Sequence, residues 1–574
     1  MTLSIFVGAS VTGLLWLFDW AGTESSELVL EVELLGLHLI TGSLLGAAST
    51  GLMSKNTGLR RQLAVSAFYT VAVSVLALLG MAARHPELFA DRWWLIEGPN
   101  LSGIFDFACL ALLLGAAAVV AFRRFGNDAH TRKKAAIATV AAILFWAAMG
   151  GSPNAQPSDP TNVLIIASES LDADRLEDPK VMPFTASQIP SGALYRNAFT
   201  PIARAYPSWV STLTGTEPRT HDIRHQFPTV ESRQQIGATL FTELRDEGYF
   251  TFVVSDAAGE SFSGFASGFE RLDTPSTTVD ALARGETLGA HIWSLALLRL
   301  GLIRRLLPSW RNIASLVAPD WVVDDALHRS REASDRPFAG LVNFGTNAEQ
   351  EPSATRFDAT FSAIDRATDR LLEGVGENTL VLITGAHGKA IEDPGLGLGQ
   401  STPIWIRGPG VPQGFHSDAQ VRLYDVPATI RALLGGPVTF GDGRSLFEVD
   451  TARPICVETG LWSRPDRPQG LAGKRLTYPD LSTLLEIDPS TRERVLRAKM
   501  ESLVESVKAR GVILGHRLYR EQPTPNGIER ETTPLDSVAP AHGDVDLRTL
   551  FESRCVEGDP HLSRLYGALV FKRH

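Results

Sequence analysis

Short apolar runs alternate with helical patterns from Asn162 onward, and this alternation is the feature that most constrains the fold. Such runs, with no regular polar positions, predict strands that are buried on both faces of a sheet. Helices between successive strands predict an α/β fold with a mainly parallel sheet flanked by helices. The strand candidates are Asn162–Ala167, Tyr249–Val254, Phe338–Phe344, Thr379–Thr384 and Pro403–Ile406, and the helical patterns include Ile236–Glu247, Phe357–Leu372 and Val426–Leu434.

Five longer apolar segments precede these strands within the first 150 residues. A helix needs about 20 apolar residues to cross the ~30 Å hydrocarbon core of a bilayer, and each segment approaches or reaches that length. The loops after the second and fourth segments are rich in Lys and Arg, which predicts that both loops are cytoplasmic and that the chain after Gly150 is not. We therefore expect five transmembrane helices, at Leu3–Phe18, Leu34–Met53, Leu63–Ala83, Ile104–Phe122 and Ala135–Met149.

Two alternatives for this N-terminal region are weaker. The first segment is not typical of a signal peptide, because no Lys or Arg precedes it and no clean cleavage site follows it. A transporter would need polar groups at the centre of the spans, but His38 and Asp106 are isolated and near the ends of theirs. The pattern favours an anchor in the lipid bilayer.

The composition narrows the choice of partners and compartment. The net charge of −10 argues against a nucleic-acid partner, which would favour basic patches. Of the three cysteines, Cys456 and Cys555 lie in the part of the chain that reads as soluble. In an oxidising compartment these two are able to form a disulfide that ties the C-terminal segment to the core, although the sequence does not establish their proximity.

The stretch Ala205–Gly215 is predicted to form a helix with Pro207 in its first turn, where the missing N–H of proline costs little. A helix start carries unpaired N–H groups and a partial positive charge, so it suits a phosphate or a sulfate. A nucleophile just before the helix would attack an anionic ester with help from those groups. Ala205 stands at that position and has no group that can attack.

Six motifs follow one another along the chain: Asn162–Leu176, Pro207–Gly215, Asn378–Gly388, Pro403–Gly410, Leu423–Thr429 and Gly443–Leu446. In this order they resemble landmarks of sulfatases and related enzymes of the alkaline phosphatase superfamily. The first resembles the opening strand, the second the nucleophile helix and the third the second metal-binding strand of that superfamily. The five apolar segments before an extracytoplasmic domain are also similar to lipoteichoic acid synthases and phosphoethanolamine transferases.

The resemblance implies a nucleophile and one or two divalent ions, but the chain departs from the family at several of those positions. Glu169 falls on a metal-ligand position, and His387 is a second candidate ligand. Ala205 occupies the nucleophile position, with Thr200 as a remote substitute, and Ala386 replaces a ligand carboxylate. The loop at 345–352, which in the family carries a histidine, has none here. For this chain, with these departures, we expect one divalent metal ion (Mn, Mg, Zn or Ca), with no metal as the alternative.

These observations predict a transmembrane region (1–150), a linker (151–160), a sulfatase-like domain (161–450) and a C-terminal subdomain (451–574). We expect an integral protein of a bacterial inner membrane whose soluble domain faces the periplasm or the exterior. The leading interpretation is a pseudoenzyme that binds, scaffolds or regulates, with an envelope glycan, a lipid or a membrane protein as partner. One alternative is an active hydrolase or phospho-group transferase with a rearranged site. A further alternative is that Ala205 and Ala386 were engineered in place of Thr or Ser and of Asp.

Overall fold

A computed structural model describes the chain in sixteen stretches, which divide into two compact units. One unit comprises Met1–Asn154 with Asp280–Ala318, and the other comprises Ala155–Val279 with Pro319–His574. The fourth and fifth predicted spans, the predicted linker and most of the loop at 345–352 lie outside the described residues. The described residues are 2–20, 28–49, 58–84, 161–262, 264, 267–276, 278–279, 281, 319–346, 354–388, 398–448, 453–460, 481–524, 527–535, 545–559 and 562.

The described part of the first unit consists of three helices that pack on one another, α1 (Thr2–Trp20), α2 (Leu28–Ser49) and α3 (Leu59–Arg84). Glycines allow the close approach of α1 and α2, because a Cβ added at Gly46 would lie 1.9 Å from the Ser4 carbonyl oxygen. The Thr12 hydroxyl also donates to the His38 carbonyl across this contact at 2.6 Å.

These three helices coincide with the first three predicted spans, but the transmembrane prediction is not confirmed. Within the described residues, no helix combines the length and the apolar character that a membrane span requires.

The second unit is built on an eight-stranded sheet in the order β4-β3-β5-β1-β6-β7-β2-β8. β1 is parallel to both of its neighbours, β5 and β6, and only β7 runs against the strands beside it. The predicted mainly parallel sheet is therefore confirmed. The strands are β1 (Asn162–Ser168), β2 (Ala193–Phe199), β3 (Phe250–Ser255), β4 (Arg271–Asp273), β5 (Phe338–Phe344), β6 (Thr379–Gly385), β7 (Ser401–Arg407) and β8 (Phe415–Arg422).

The helices of this unit bury apolar side chains against one another or against the sheet. The side chains of β1, β5 and β6 are buried at every position, which explains why these strands read as continuous apolar runs. The helices are α4 (Ala173–Glu177), α5 (Pro183–Gln188), α6 (Ala205–Thr214), α7 (Pro218–His221), α8 (Val230–Gln234), α9 (Leu240–Asp246), α10 (Pro319–Glu332), α11 (Ala354–Gly374) and α12 (Val426–Leu433).

The C-terminal part adds a four-stranded antiparallel sheet in the order β11-β14-β15-β16. A disulfide joins Cys456 on β11 to Cys555, which lies in a π-helical segment, Phe551–Glu557. The elements are β9 (Thr439–Phe440), β10 (Gly443–Arg444), β11 (Ile455–Glu458), β12 (Leu485–Ile487), β13 (Arg494–Leu496), β14 (Arg510–Leu514), β15 (Arg517–Thr524), β16 (Gly527–Pro534), α13 (Leu481–Leu484), α14 (Glu501–Val507) and α15 (Leu547–Leu550).

Candidate functional site

The strand register brings the predicted site residues to one edge of the main sheet, which we call the carboxyl edge. Ser168 at the end of β1 pairs with Gly385 at the end of β6, so Glu169 and Ala386 follow at the same edge. Thr200 follows β2 at this edge, since β2 and β6 both run antiparallel to β7 between them. Open α/β sheets place their binding sites at such an edge.

Helix α6 begins at the carboxyl edge, as the sequence predicts. Arg204 caps it in an extended conformation, and Pro207 occupies the first turn. Of the remaining N–H groups of this turn, that of Tyr206 donates to the Gln226 side-chain oxygen at 3.0 Å, and that of Ser208 to the Arg204 carbonyl at 3.0 Å. The helix start therefore offers an anion fewer N–H donors than the sequence alone indicates.

Ala205 and Ala386 are both part of the hydrophobic core at this edge. Ala205 is 6% exposed and Ala386 is 2% exposed. Their methyl groups neither attack an ester nor bind a cation. The two positions at which the resemblance implies a nucleophile and a carboxylate ligand are thus occupied by packed apolar groups.

Glu169 and His387 are the remaining candidate ligands at this edge. The Glu169 backbone N–H donates to the Phe344 carbonyl at 3.0 Å, and the side chain is half-buried. His387 is 7% exposed, and its Nδ1 lies 2.9 Å from the Gly388 carbonyl oxygen. Because a carbonyl only accepts, Nδ1 carries a proton and donates in this contact.

The donors that the structure describes at this edge do not make a metal site. A stable site needs at least three protein ligands for zinc, and calcium takes six to eight oxygens. Across the part of the chain that the structure describes, no group of three or more His, Cys, Asp or Glu side chains is placed to hold a metal ion. One carboxylate and one imidazole beside two alanines do not fit the divalent ion that the family implies.

Thr200, the proposed substitute nucleophile, is fully buried and hydrogen-bonded. Its hydroxyl lies 2.8 Å from the Ser208 hydroxyl and donates to it, and the Ser208 hydroxyl in turn donates to the Ala386 carbonyl. No histidine or carboxylate accepts the Thr200 proton in these contacts, so the geometry provides no general base for this residue.

Ser211 on α6 has a histidine partner, but the tautomer is wrong for catalysis. Ser211 Oγ lies 2.8 Å from His221 Nε2, while His221 Nδ1 accepts from the Ile223 N–H at 3.0 Å. Because Nδ1 accepts, Nε2 carries the proton and donates to the serine. Burial, assisted by the Arg224 charge, lowers the pKa of His221 to about 3. This histidine is a neutral structural donor.

Sequence reasoning missed the contacts made by Gln226 and Ser208. The Gln226 side-chain oxygen accepts from the Tyr206 N–H, 20 residues earlier in the chain. The Ser208 hydroxyl donates to the Ala386 carbonyl, 178 residues later. Neither separation matches a local motif, and no signal in the sequence would have identified either pair.

Comparison with known proteins gives a family match. Residues 161–436 match the sulfatase family model. No curated protein matches the chain.

Several solved structures are similar to the chain. One is a protein in the alkaline phosphatase superfamily from Vibrio parahaemolyticus, with 14% identity, 73% of this chain and 90% of that chain covered, and a TM-score of 0.42. The phosphonate monoester hydrolase from Silicibacter pomeroyi has 13% identity, coverages of 72% and 95%, and a TM-score of 0.43. The phosphonate monoester hydrolase of Agrobacterium radiobacter has 15% identity, with 72% of this chain and 95% of that chain covered, and a TM-score of 0.44. Residues 161–436, which include most of the mainly parallel sheet, are therefore the part of the chain that matches the sulfatase family model.

Proposed function

We propose that this protein is a non-catalytic member of its superfamily with a binding, scaffolding or regulatory role at the cell envelope. The observation that carries the proposal is the burial of methyl groups at Ala205 and Ala386. Loss of a covalent nucleophile alone costs on the order of 10⁶ in rate where catalytic residues act as a unit. Thr200 and Ser211 do not replace it, for the reasons given by their hydrogen bonds.

The first test is turnover. The purified full-length protein is assayed with 4-nitrophenyl phosphate and 4-nitrophenyl sulfate, each with Mn, Mg, Zn or Ca, beside a Glu169→Ala control. We expect the same background rate for both proteins. A rate well above background that is lost in Glu169→Ala would show that the edge is a working active site.

The alternative function is a metal-dependent hydrolase or phospho-group transferase that acts on envelope lipids or glycans through a rearranged site. Glu169 and His387 favour it, because both remain at the carboxyl edge. This alternative requires about one divalent ion per chain in the isolated protein. Elemental analysis that finds a substoichiometric amount would count against it.

Attachment to a lipid bilayer is a further part of the proposal. The described part of the first unit buries polar side chains such as Thr12 and His38, while Phe6 and Phe68 are 69% and 76% exposed. Large apolar side chains that point outward suit contact with lipid. The Cys456–Cys555 disulfide favours an oxidising compartment, such as the periplasm or the exterior, for the second unit.

Membrane attachment is tested by flotation of the full-length protein with vesicles of phosphatidylethanolamine and phosphatidylglycerol. We expect the protein to float with the vesicles and to resist extraction at high salt and alkaline pH. A Phe6→Asp/Phe68→Asp variant, which places charges on the exposed apolar surface, is expected to float less. Sedimentation of the unsubstituted protein away from the vesicles would contradict attachment.

A further inference from the structure

Buried hydroxyl groups connect the chain segments that meet at the carboxyl edge. The Thr200 hydroxyl, after β2, donates to Ser208 in the first turns of α6, and Ser208 donates to the Ala386 carbonyl after β6. The Thr402 hydroxyl on β7 accepts from the Gly385 N–H and donates to the Leu171 carbonyl, both at 3.0 Å. We call Thr200, Ser208 and Thr402 the hydroxyl network.

The protons of this network are all used. Thr200 and Ser208 are completely buried, and Thr402 is 1% exposed. A hydroxyl has one proton and two lone pairs, so Ser208 uses its proton on a carbonyl and a lone pair on Thr200. Inside a protein such bonds are stronger than in water, and an unmade one is costly. The network therefore fixes the relative positions of the loop after β1, the ends of β2 and β6, the start of β7 and helix α6.

A bound cation would connect the same segments by attracting side chains from several of them. Among the described residues of this edge the donor set is too small to do so, since Ala205 and Ala386 contribute none. We infer that the hydroxyl network, joining Thr200, Ser208, Thr402 and the Ala386 carbonyl, holds the carboxyl edge together in place of a divalent cation.

The inference concerns the construction of the edge and does not depend on whether turnover is absent. It has two consequences that an edge held together by a bound cation would not have. The isolated protein contains no stoichiometric divalent ion, and its thermal stability does not respond to chelators. Removal of one hydroxyl loosens the edge locally, and added metal does not restore it.

The metal arm of the test uses the unsubstituted full-length protein. Elemental analysis is combined with thermal unfolding in 5 mM EDTA and in 1 mM Mn, Mg, Zn or Ca. We expect less than about 0.1 ion per chain and melting temperatures that agree within about 1 °C. One ion per chain, or a melting temperature that falls in EDTA, would overturn the inference.

The structural arm uses Ser208→Ala and Thr402→Val, with Thr251→Val as the matched control. The Thr251 hydroxyl on β3 is equally buried, donates to the Gly268 carbonyl at 2.8 Å and accepts from the Glu270 N–H at 3.0 Å. It therefore has the same bonding as Thr402 but lies outside the network.

Amide hydrogen exchange distinguishes the variants. We expect exchange in segments 169–172 and 385–388 to rise roughly tenfold in Ser208→Ala and Thr402→Val, with or without metal, and to stay unchanged in Thr251→Val. An equal rise in all three variants would overturn the inference, as would recovery of protection on adding metal. If a network variant does not fold, the metal content and the EDTA response of the unsubstituted protein still test the inference.

This test fails separately from the proposed function. Turnover without bound metal would refute the non-catalytic proposal and leave the inference standing. Stoichiometric metal without turnover would refute the inference and leave the non-catalytic proposal standing.

Discussion

Two buried polar regions of the second unit differ in the groups from which they are built. The carboxyl edge is connected through hydroxyls and carbonyls and has alanines at two central positions. The second region, which we call the junction, lies where the C-terminal sheet meets the loop after α7. Its buried charged side chains are Arg224, Glu458, Glu505, Lys508, Arg510 and Asp559.

The junction is cross-linked both by ion pairs and by a disulfide. Arg224 lies 2.7 Å from Glu458 and 2.5 Å from Asp559, and both partners are almost fully buried. Buried ion pairs stabilise little in net terms, but removal of one partner leaves an uncompensated charge. Among the described residues, buried charges are therefore grouped at the junction, whereas the carboxyl edge has alanines at two central positions.

The largest expected effect is that of Arg224→Met. The substitution removes the cation that the buried Asp559 and Glu458 carboxylates share, although Glu458 keeps Lys508 at 3.4 Å. It should lower the free energy of unfolding by about 3 kcal/mol, the lower end of the range for breaking a buried pair. The matched control is Arg245→Met, which breaks an exposed pair with Asp246 and should cost at most about 1 kcal/mol. Chemical denaturation monitored by circular dichroism measures both. Similar losses in the two variants would mean that the junction charges carry no special weight.

The second effect is that of removing the Cys456–Cys555 bond. The bond closes a separation of 99 residues, and its loss should cost about 2–4 kcal/mol in a Cys456→Ser/Cys555→Ser variant. Cys109→Ser is the control, because it removes the remaining cysteine of the chain and no disulfide. Thermal unfolding with and without dithiothreitol provides the measurement. If dithiothreitol still lowers the melting temperature of the double variant, the effect of the reductant does not come from the Cys456–Cys555 bond.

The third effect concerns pH and His221. Burial, assisted by Arg224, lowers the pKa of this histidine to about 3 in the folded state, against about 6.5 in the unfolded chain. Between these values the unfolded state binds the additional proton, so stability falls as the pH falls, by up to about 1.4 kcal/mol per pH unit.

The His221→Gln variant removes this titration and keeps a donor for Ser211. Denaturation midpoints between pH 7 and pH 5 should therefore fall less steeply in the variant than in the unsubstituted protein. Parallel profiles would show that His221 titrates normally in the folded state.

The smallest expected effect is that of Ala205→Ser. It returns a hydroxyl to the nucleophile position but leaves Ala386 without a carboxylate, so the rate with 4-nitrophenyl phosphate should stay at background. A large gain in rate would show that the edge needs only a nucleophile, and would remove the distinction between the two regions.

Much of the main sheet was predictable, because its central strands are buried on both faces and leave a continuous apolar signal. The prediction of a strand at Phe338–Phe344 coincides with β5, and the predicted helix at Ala205 coincides with the start of α6. β8 was missed because its first half is largely exposed and lacks an apolar run.

The candidate site was predictable in position but not in its internal bonding. The motifs placed Glu169, Ala205, Ala386 and His387 in sequence, and the strand register brings their segments to one edge. The hydrogen bond from the Tyr206 N–H, at the start of α6, to the Gln226 side chain is a tertiary contact, and no sequence motif predicts it. The disulfide left open by the sequence is present, and the six-residue charge cluster of the junction was not anticipated.

The partners of Arg224 also impose an order of assembly during synthesis. Glu458 follows Arg224 by 234 residues and Asp559 follows it by 335. At about 5–20 residues per second, a ribosome needs roughly 17–67 s to add the second partner after the arginine. Until then a hydrated guanidinium is disfavoured from entering an apolar interior. We therefore expect the loop that carries Arg224 to complete its packing only after Asp559 has been added.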